Sequence, residues 1–401
     1  MQRGHARLAW PLFLFCWTGG GFVGFEYRVR LGQKQLRCGY TTGTCAALAA
    51  GGAAHLLLTG EKLSKLSLLT PAGIPVELTP AGLSMEGTAA CCAVVKDSGD
   101  DPDVTNGLSI AATVSRTEKG IFIDGGEGVG RVTKPGLDQP VGAAAINRVP
   151  REMIRQQVQQ VCAGAGYTGG LRVVISIPGG AEVAKRSFNA ALGIVGGLSV
   201  LGTSGIVEPM SQQAIVDTIA LEQRQVAVSG VTRLILTPGN YGMDYLEKNG
   251  RLFSSVPVVK CSNFIGDALD IAAGLGFQQV LLVGHIGKLV KLAGGIMNTH
   301  SRWGDCRGEL FCAHAAVQGA DRDTCQALME ASTTDACIAL LEEKGLRAPV
   351  LESLTAAVQR QLTRRAAGAF TVGALLFSNQ YGLLGITQEA KELLAQWNET
   401  I

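Results

Sequence analysis

Val280-Leu281-Leu282-Val283, closed by Gly284-His285-Ile286-Gly287-Lys288, is the stretch on which the fold turns. Four apolar residues without polar alternation, bounded by glycine, fit a strand buried on both faces. Val173-Val174-Ile175-Ser176-Ile177 and Leu234-Ile235-Leu236 have the same texture, and helical candidates lie between them at 211–227 and 265–274. Strand–helix alternation of this kind predicts a parallel, doubly wound sheet. We therefore expect a Rossmann-like α/β domain over residues 169–297.

Working outward, residues 36–168 mix strand-like runs at 66–69 and 93–95 with Gly-, Asp- and Pro-rich loops. Helices there are expected at 44–58 and 151–163, which makes an α+β domain. Residues 298–401 read as a mostly helical section ending in a strand at 373–377, placed so that it packs back on the first domain. Residues 1–35 stand apart. Arg3, His5 and Arg7 precede an apolar stretch at 8–17 that Pro11 interrupts, and no A-x-A-like cleavage site follows. Ten residues fall short of the roughly twenty that span a bilayer. The segment is expected to be a disordered extension, and no later run is long enough to be transmembrane.

Composition narrows the function. Of 401 residues, 47% are hydrophobic and 17% charged, so disorder is excluded for most of the chain. The 35 basic and 33 acidic side chains nearly cancel, and aromatics are only 5%. A general nucleic-acid surface, or a base-stacking platform, is not expected. Glycine is the outlier at 53 of 401, about 13%, against about 7% on average. Eleven cysteines without a CxxC point to reduced thiols and a cytoplasmic enzyme. Cys306, Cys312 and His314 lack the paired spacing of a zinc site, so no protein-bound metal is expected.

The loops carry the candidate chemistry. Gly39-Tyr40-Thr41-Thr42-Gly43-Thr44-Cys45 opens an alanine-rich helix, and Thr41, Thr42 and Thr44 could help hold a carboxylate there. Lys96-Asp97-Ser98-Gly99-Asp100-Asp101-Pro102-Asp103 follows an apolar run; Asp100 and Asp101 are candidate catalytic groups, and Lys96 a candidate substrate contact. Asp124-Gly125-Gly126-Glu127-Gly128-Val129-Gly130 offers a glycine-lined ligand loop through Gly126 and Gly128. No helix start follows it, contrary to a strict Rossmann fingerprint. Gly202, Thr203, Ser204 and Gly205 form a small-residue loop where an open sheet would bind a cofactor. His285, and His300 in Asn298-Thr299-His300-Ser301-Arg302-Trp303-Gly304-Asp305, are further candidate catalytic groups, and Lys288 is a further candidate substrate contact.

Taken in order, GYTTGTCAALAA, VVKDSGDDPDVTNG, DGGEGVGRVTKPGL, GLSVLGTSGIVEPMS, LTPGNYG, KCSNFIGDALD, GHIGKLVKLAGG and NTHSRWGD resemble the cobalt-precorrin-5B C(1)-methyltransferase family. The resemblance runs from about residue 36 to about 387. It implies S-adenosylmethionine as methyl donor and a cobalt-containing tetrapyrrole as acceptor, with cobalt-precorrin-6A as product in anaerobic cobalamin biosynthesis. The cobalt would arrive with the substrate. The family brings no settled catalytic residues, so the assignments above are inferences from the residues. A homo-oligomer is compatible with this reading; nucleic-acid and membrane partners are not expected. The rival reading is a nucleotide-dependent small-molecule kinase, its Gly-rich loops cradling phosphate and residues 97–103 holding Mg²⁺. A third is a non-catalytic tetrapyrrole carrier.

Overall fold

A computed structural model describes residues 25–187, 189, 192–249 and 256–398. Two five-stranded mixed sheets organise it. The first runs, edge to edge, through Gly82–Glu86, Ala89–Val95, Ser109–Thr117, Gly170–Ser176 and Ile121–Gly125. Its neighbours are antiparallel except Gly170–Ser176 with Ile121–Gly125, which are parallel. The alanine-rich helix Thr42–Thr59 packs on this sheet and against the helix Arg148–Gly164. Alanine and glycine dominate the buried helix because neighbours press from several sides. It is long and apolar enough for a membrane span, but 83% of its window is buried in the protein core.

The second sheet has the order Val258–Lys260, Arg233–Thr237, Gln279–His285, Thr371–Ser378, Gly382–Ile386. The first four strands are parallel and the last is antiparallel. Side-chain alternation divides each apolar run between two cores. Leu234, Leu236, Val280, Leu282 and Leu376 face the helices 265–274, 286–293 and 347–366. Ile235, Leu281, Val283 and Phe377 face Leu246 and Trp397 on the opposite side. Burial on both faces is why Val280–Val283 contains no polar residue.

Three expectations are corrected. The 173–177 run belongs to the first sheet, not the parallel one: Val173 pairs with Val114 and Ile123. A strand with apolar residues on both faces has the same sequence texture in either sheet. The strand of the last section joins the second sheet rather than the first: among the described residues, Thr371–Ser378 lies parallel to Gln279–His285. At the end of the expected extension and running just past it, Arg28–Leu31 and Lys34–Arg37 pair as a hairpin, and Phe25 is buried against Tyr40. The apolar stretch at 8–17 lies outside the described residues.

Candidate active site

The strand order places a switch point between Arg233–Thr237 and Gln279–His285. The chain leaves the first toward Val258–Lys260 on one side and the second toward Thr371–Ser378 on the other. Outgoing connections that part in this way open a crevice at the carboxyl ends of the strands, where open α/β sheets bind ligands. Pro238-Gly239-Asn240-Tyr241 and His285-Ile286-Gly287-Lys288 line it.

The crevice is electropositive. The helix Asn240–Lys248 begins at Gly239 with no side-chain cap, so its first N–H groups retain their capacity for an anion. Lys288 Nζ donates to the Pro238 carbonyl at 2.5 Å, and Lys260 Nζ lies 3.5 Å from Asn240 Oδ1. Burial holds the Lys288 ammonium below the ordinary lysine range. Glu222 stands near Lys260; burial pushes its carboxyl up, and the lysine opposes that shift. Thr237, fully buried at the strand end, turns its hydroxyl toward Gly242 in the first helical turn, and Oγ1 has no hydrogen-bond partner among the described residues.

His285 caps the helix Ile286–Ala293, accepting the Gly287 N–H on Nδ1 at 3.1 Å. Its neutral ring therefore carries the proton on Nε2. The ring centroid is 5.7 Å from both Tyr241 and Phe377. Burial depresses its pKa, with Asp335 opposing. Asp335 in turn accepts the Ser378 hydroxyl at 2.8 Å.

His300 lies on a separate loop. Its Nδ1 accepts the Arg302 N–H at 3.2 Å, and its neighbour Thr299 is joined to Asn263.

The remaining sequence candidates meet elsewhere, and most are already hydrogen-bonded. Thr41 Oγ1 caps Thr44 N, while Thr41 N and Thr44 Oγ1 both donate to the Gly205 carbonyl. Thr42 Oγ1 donates to the Leu201 carbonyl at 3.2 Å and accepts the Leu201 N–H at 3.0 Å. The Thr41–Thr44 turn and the Gly202–Gly205 loop thus cap one another rather than forming an open cradle. Gly202, at φ +131°, leaves no room for a Cβ beside Thr41. Thr203 is exposed, and Ser204 Oγ donates to the Ile206 carbonyl at 2.9 Å.

Gly126 and Gly128 serve a crossing of chain segments. Gly126 N donates to the Ile175 carbonyl, Leu198 N donates to the Gly128 carbonyl, and a Cβ at Gly128 (φ +69°) would strike the Ile177 carbonyl.

In the acidic run, Asp97 holds Arg37 in a two-pronged pair at 2.6 and 2.9 Å. Asp100 accepts the Arg37 N–H at 2.7 Å and Asp101 the Met210 N–H at 2.9 Å. Asp103 pairs with buried Lys96 at 2.6 Å, and Lys96 Nζ also reaches Ser98 Oγ. His314 goes to Ser353 Oγ at 2.8 Å, and Cys312 lies against Cys325. Sequence reasoning missed Asp335 and Ser378, which lie in the section read as separate and carry no motif. Tyr241 and Lys260 stood in LTPGNYG and KCSNFIGDALD, two of the stretches that carry the family resemblance.

The CbiD family model matches residues 29–209, and a model described as the CbiD C-terminal domain matches 298–388. A protein of Ruminiclostridium cellulolyticum named cobalt-precorrin-5B C(1)-methyltransferase is 45% identical over 354 residues, 88% of this chain and 92% of the relative. One of Alkaliphilus metalliredigens with the same name is 41% identical over 370 residues, covering 92% and 97%. A crystal structure of the cobalamin biosynthesis protein (cbiD) from Archaeoglobus fulgidus is 30% identical, covering 69% of this chain and 86% of that one, with a TM-score of 0.38.

Proposed function

The chain belongs to the CbiD family of cobalt-precorrin-5B C(1)-methyltransferases, and from that premise we propose that it methylates carbon 1 of cobalt-precorrin-5B, giving cobalt-precorrin-6A. The observation that carries the reading is 45% identity to a relative of that name across 92% of its length. S-adenosylmethionine is the donor in this reading, and when bound it supplies the methyl on a sulfonium that needs no further activation. The chain's own task is then to bind, orient and exclude water.

The switch-point crevice is our choice for the donor, in place of the Gly202–Gly205 loop. The uncapped helix at Gly239, with Lys260 and Lys288, suits a carboxylate. The buried Thr237 hydroxyl is a polar group with unspent capacity at the same helix end. His285, kept neutral by burial, offers Nε2–H, while Tyr241 and Phe377 supply apolar walls. Asp100, Asp101, Lys96, Thr41, Thr42, Thr44, Gly126 and Gly128 support the scaffold in this assignment. We read the second sheet and its helices as the Rossmann-like unit, and the enzyme as cytoplasmic. The kinase reading loses ground because Asp97, Asp100, Asp101 and Asp103 each hold a cation or a backbone N–H. The test is turnover of cobalt-precorrin-5B with methyl-labelled S-adenosylmethionine, with the label located at carbon 1. No incorporation would refute the assignment.

A further inference from the structure

One segment beside the crevice is both exposed and firmly fixed. Lys291 is 3% exposed, and its ammonium donates to the Thr299 carbonyl at 3.2 Å and to the Gly304 carbonyl at 3.1 Å. Asp305 completes its surroundings at 3.5 Å. The two carbonyls bracket residues 300–303. Thr299 also docks on the loop after Val258–Lys260: its N–H donates to the Asn263 carbonyl at 2.9 Å and its hydroxyl to Asn263 Oδ1 at 3.1 Å. Asn298 bridges to Phe264, so the segment is held at the carboxyl edge of the parallel strands. Within it, Asn298 Oδ1 accepts the His300 N–H and His300 Nδ1 accepts the Arg302 N–H, both at 3.2 Å.

Burying an ammonium costs several kcal/mol unless good acceptors receive it. Here that cation is used to hold both ends of a four-residue turn. All the side chains the turn presents are open to solvent: His300, Ser301, Arg302 and Trp303, with Trp303 at 58%. Trp303 carries the Arg302 guanidinium 5.6 Å from its ring centroid. A fixed turn that displays a flat apolar ring beside a guanidinium suits a ligand with a flat apolar face and an anionic rim.

We propose that residues 300–303 form the seat for the tetrapyrrole acceptor. Trp303 lies against the macrocycle face, while Arg302 and the Nε2–H of His300 take a rim carboxylate. The assignment rests on the methyltransferase reading and adds to it where the acceptor sits.

The experiment pairs steady-state kinetics on cobalt-precorrin-5B with quenching of tryptophan fluorescence by the same compound, in wild type, Trp303→Ala, Arg302→Ala and Arg302→Lys. The substituted side chains are exposed, so the variants should fold. For both alanine variants the KM for the tetrapyrrole should rise at least about tenfold, with kcat and the KM for S-adenosylmethionine within about twofold. The lysine variant should recover only part of the loss, because an ammonium lacks the two-pronged fit to a carboxylate. Trp303→Ala should also lose most of the quenching. An unchanged tetrapyrrole KM in both alanine variants of an active enzyme overturns the seat and leaves the reaction standing. Quenching that depends on Trp303 in an inactive wild type would keep the seat and remove the reaction. Neither turnover nor quenching would remove both.

Discussion

Thr44 Oγ1 donates to the carbonyl of Gly205 at 2.6 Å, a bond between residues 161 positions apart. With Thr41 N on the same carbonyl, it fastens the start of the core helix to the loop before Ile206–Val207. This predicts that Thr44→Val, which keeps shape and removes the donor, lowers stability by about 1–2 kcal/mol. Affinity for S-adenosylhomocysteine should stay within about twofold. Denaturant midpoints and calorimetry check the two halves; a tenfold loss of affinity at unchanged stability would return the donor to this loop.

Lys96 and Asp103 form a second internal tie. Burial raises the Asp103 carboxyl, but Lys96 and the Thr105 N–H and hydroxyl outweigh it and hold it below the usual range. A carboxyl depressed on folding stabilises above its unfolded pKa, and that contribution is lost as pH falls through the folded value. Asp103→Asn leaves the Lys96 ammonium buried without its counter-charge and should cost about 3 kcal/mol at pH 7. The gap from wild type should narrow in urea titrations carried below about pH 4. A gap that stayed constant with pH would separate Asp103 from this pair.

Lys288→Met tests the donor crevice. Losing a charge-assisted contact should weaken S-adenosylhomocysteine binding by about tenfold or more. Burial lowers the Lys288 pKa from 10.5, so wild-type affinity should fall on the alkaline side before an exposed lysine would titrate. The binding contact needs the protonated ammonium, and the alkaline limb should therefore vanish in Lys288→Met. An identical pH profile in the two proteins would place the donor elsewhere.

Among the described cysteines, alkylation should find Cys306 first, since it is exposed. Cys45 and Cys261, both completely buried and pushed up to about 12, should be spared. Lys288 draws Cys261 down, but burial dominates. Brief iodoacetamide treatment near pH 8, followed by peptide mass mapping, should therefore leave Cys261 unmodified and most methyl transfer intact. Labelling of Cys261 in the folded enzyme would show that its strand end opens.

What the sequence reveals depends on the range of the interaction. Val280–Val283 is recognisable as a strand because both of its faces are buried, a property written in adjacent residues. Val173–Ile177 has the same texture, yet its neighbours are Val114 and Ile123, and nothing local distinguishes those partners from Leu234. Glycines at 126 and 128 look alike whether a ligand approaches them or, as here, the Ser176 hydroxyl crowds the first and the Ile177 carbonyl the second. His285 and Lys288 were legible because they follow an apolar run. Asp335 and Ser378 reach the same crevice from a helix and a strand supplied by the chain's last section.

The late arrival of Thr371–Ser378 has a consequence for synthesis. The first sheet has all its strands once residue 176 has emerged, whereas Gln279–His285 must wait until residues 286–370 have been made before its outer neighbour exists. During that interval a strand with an apolar centre at Val280–Val283 presents an open row of amide and carbonyl groups. A ribosome pausing between those positions would hold out a nascent chain whose first sheet is complete and whose second sheet is ready to pair with any exposed strand it meets.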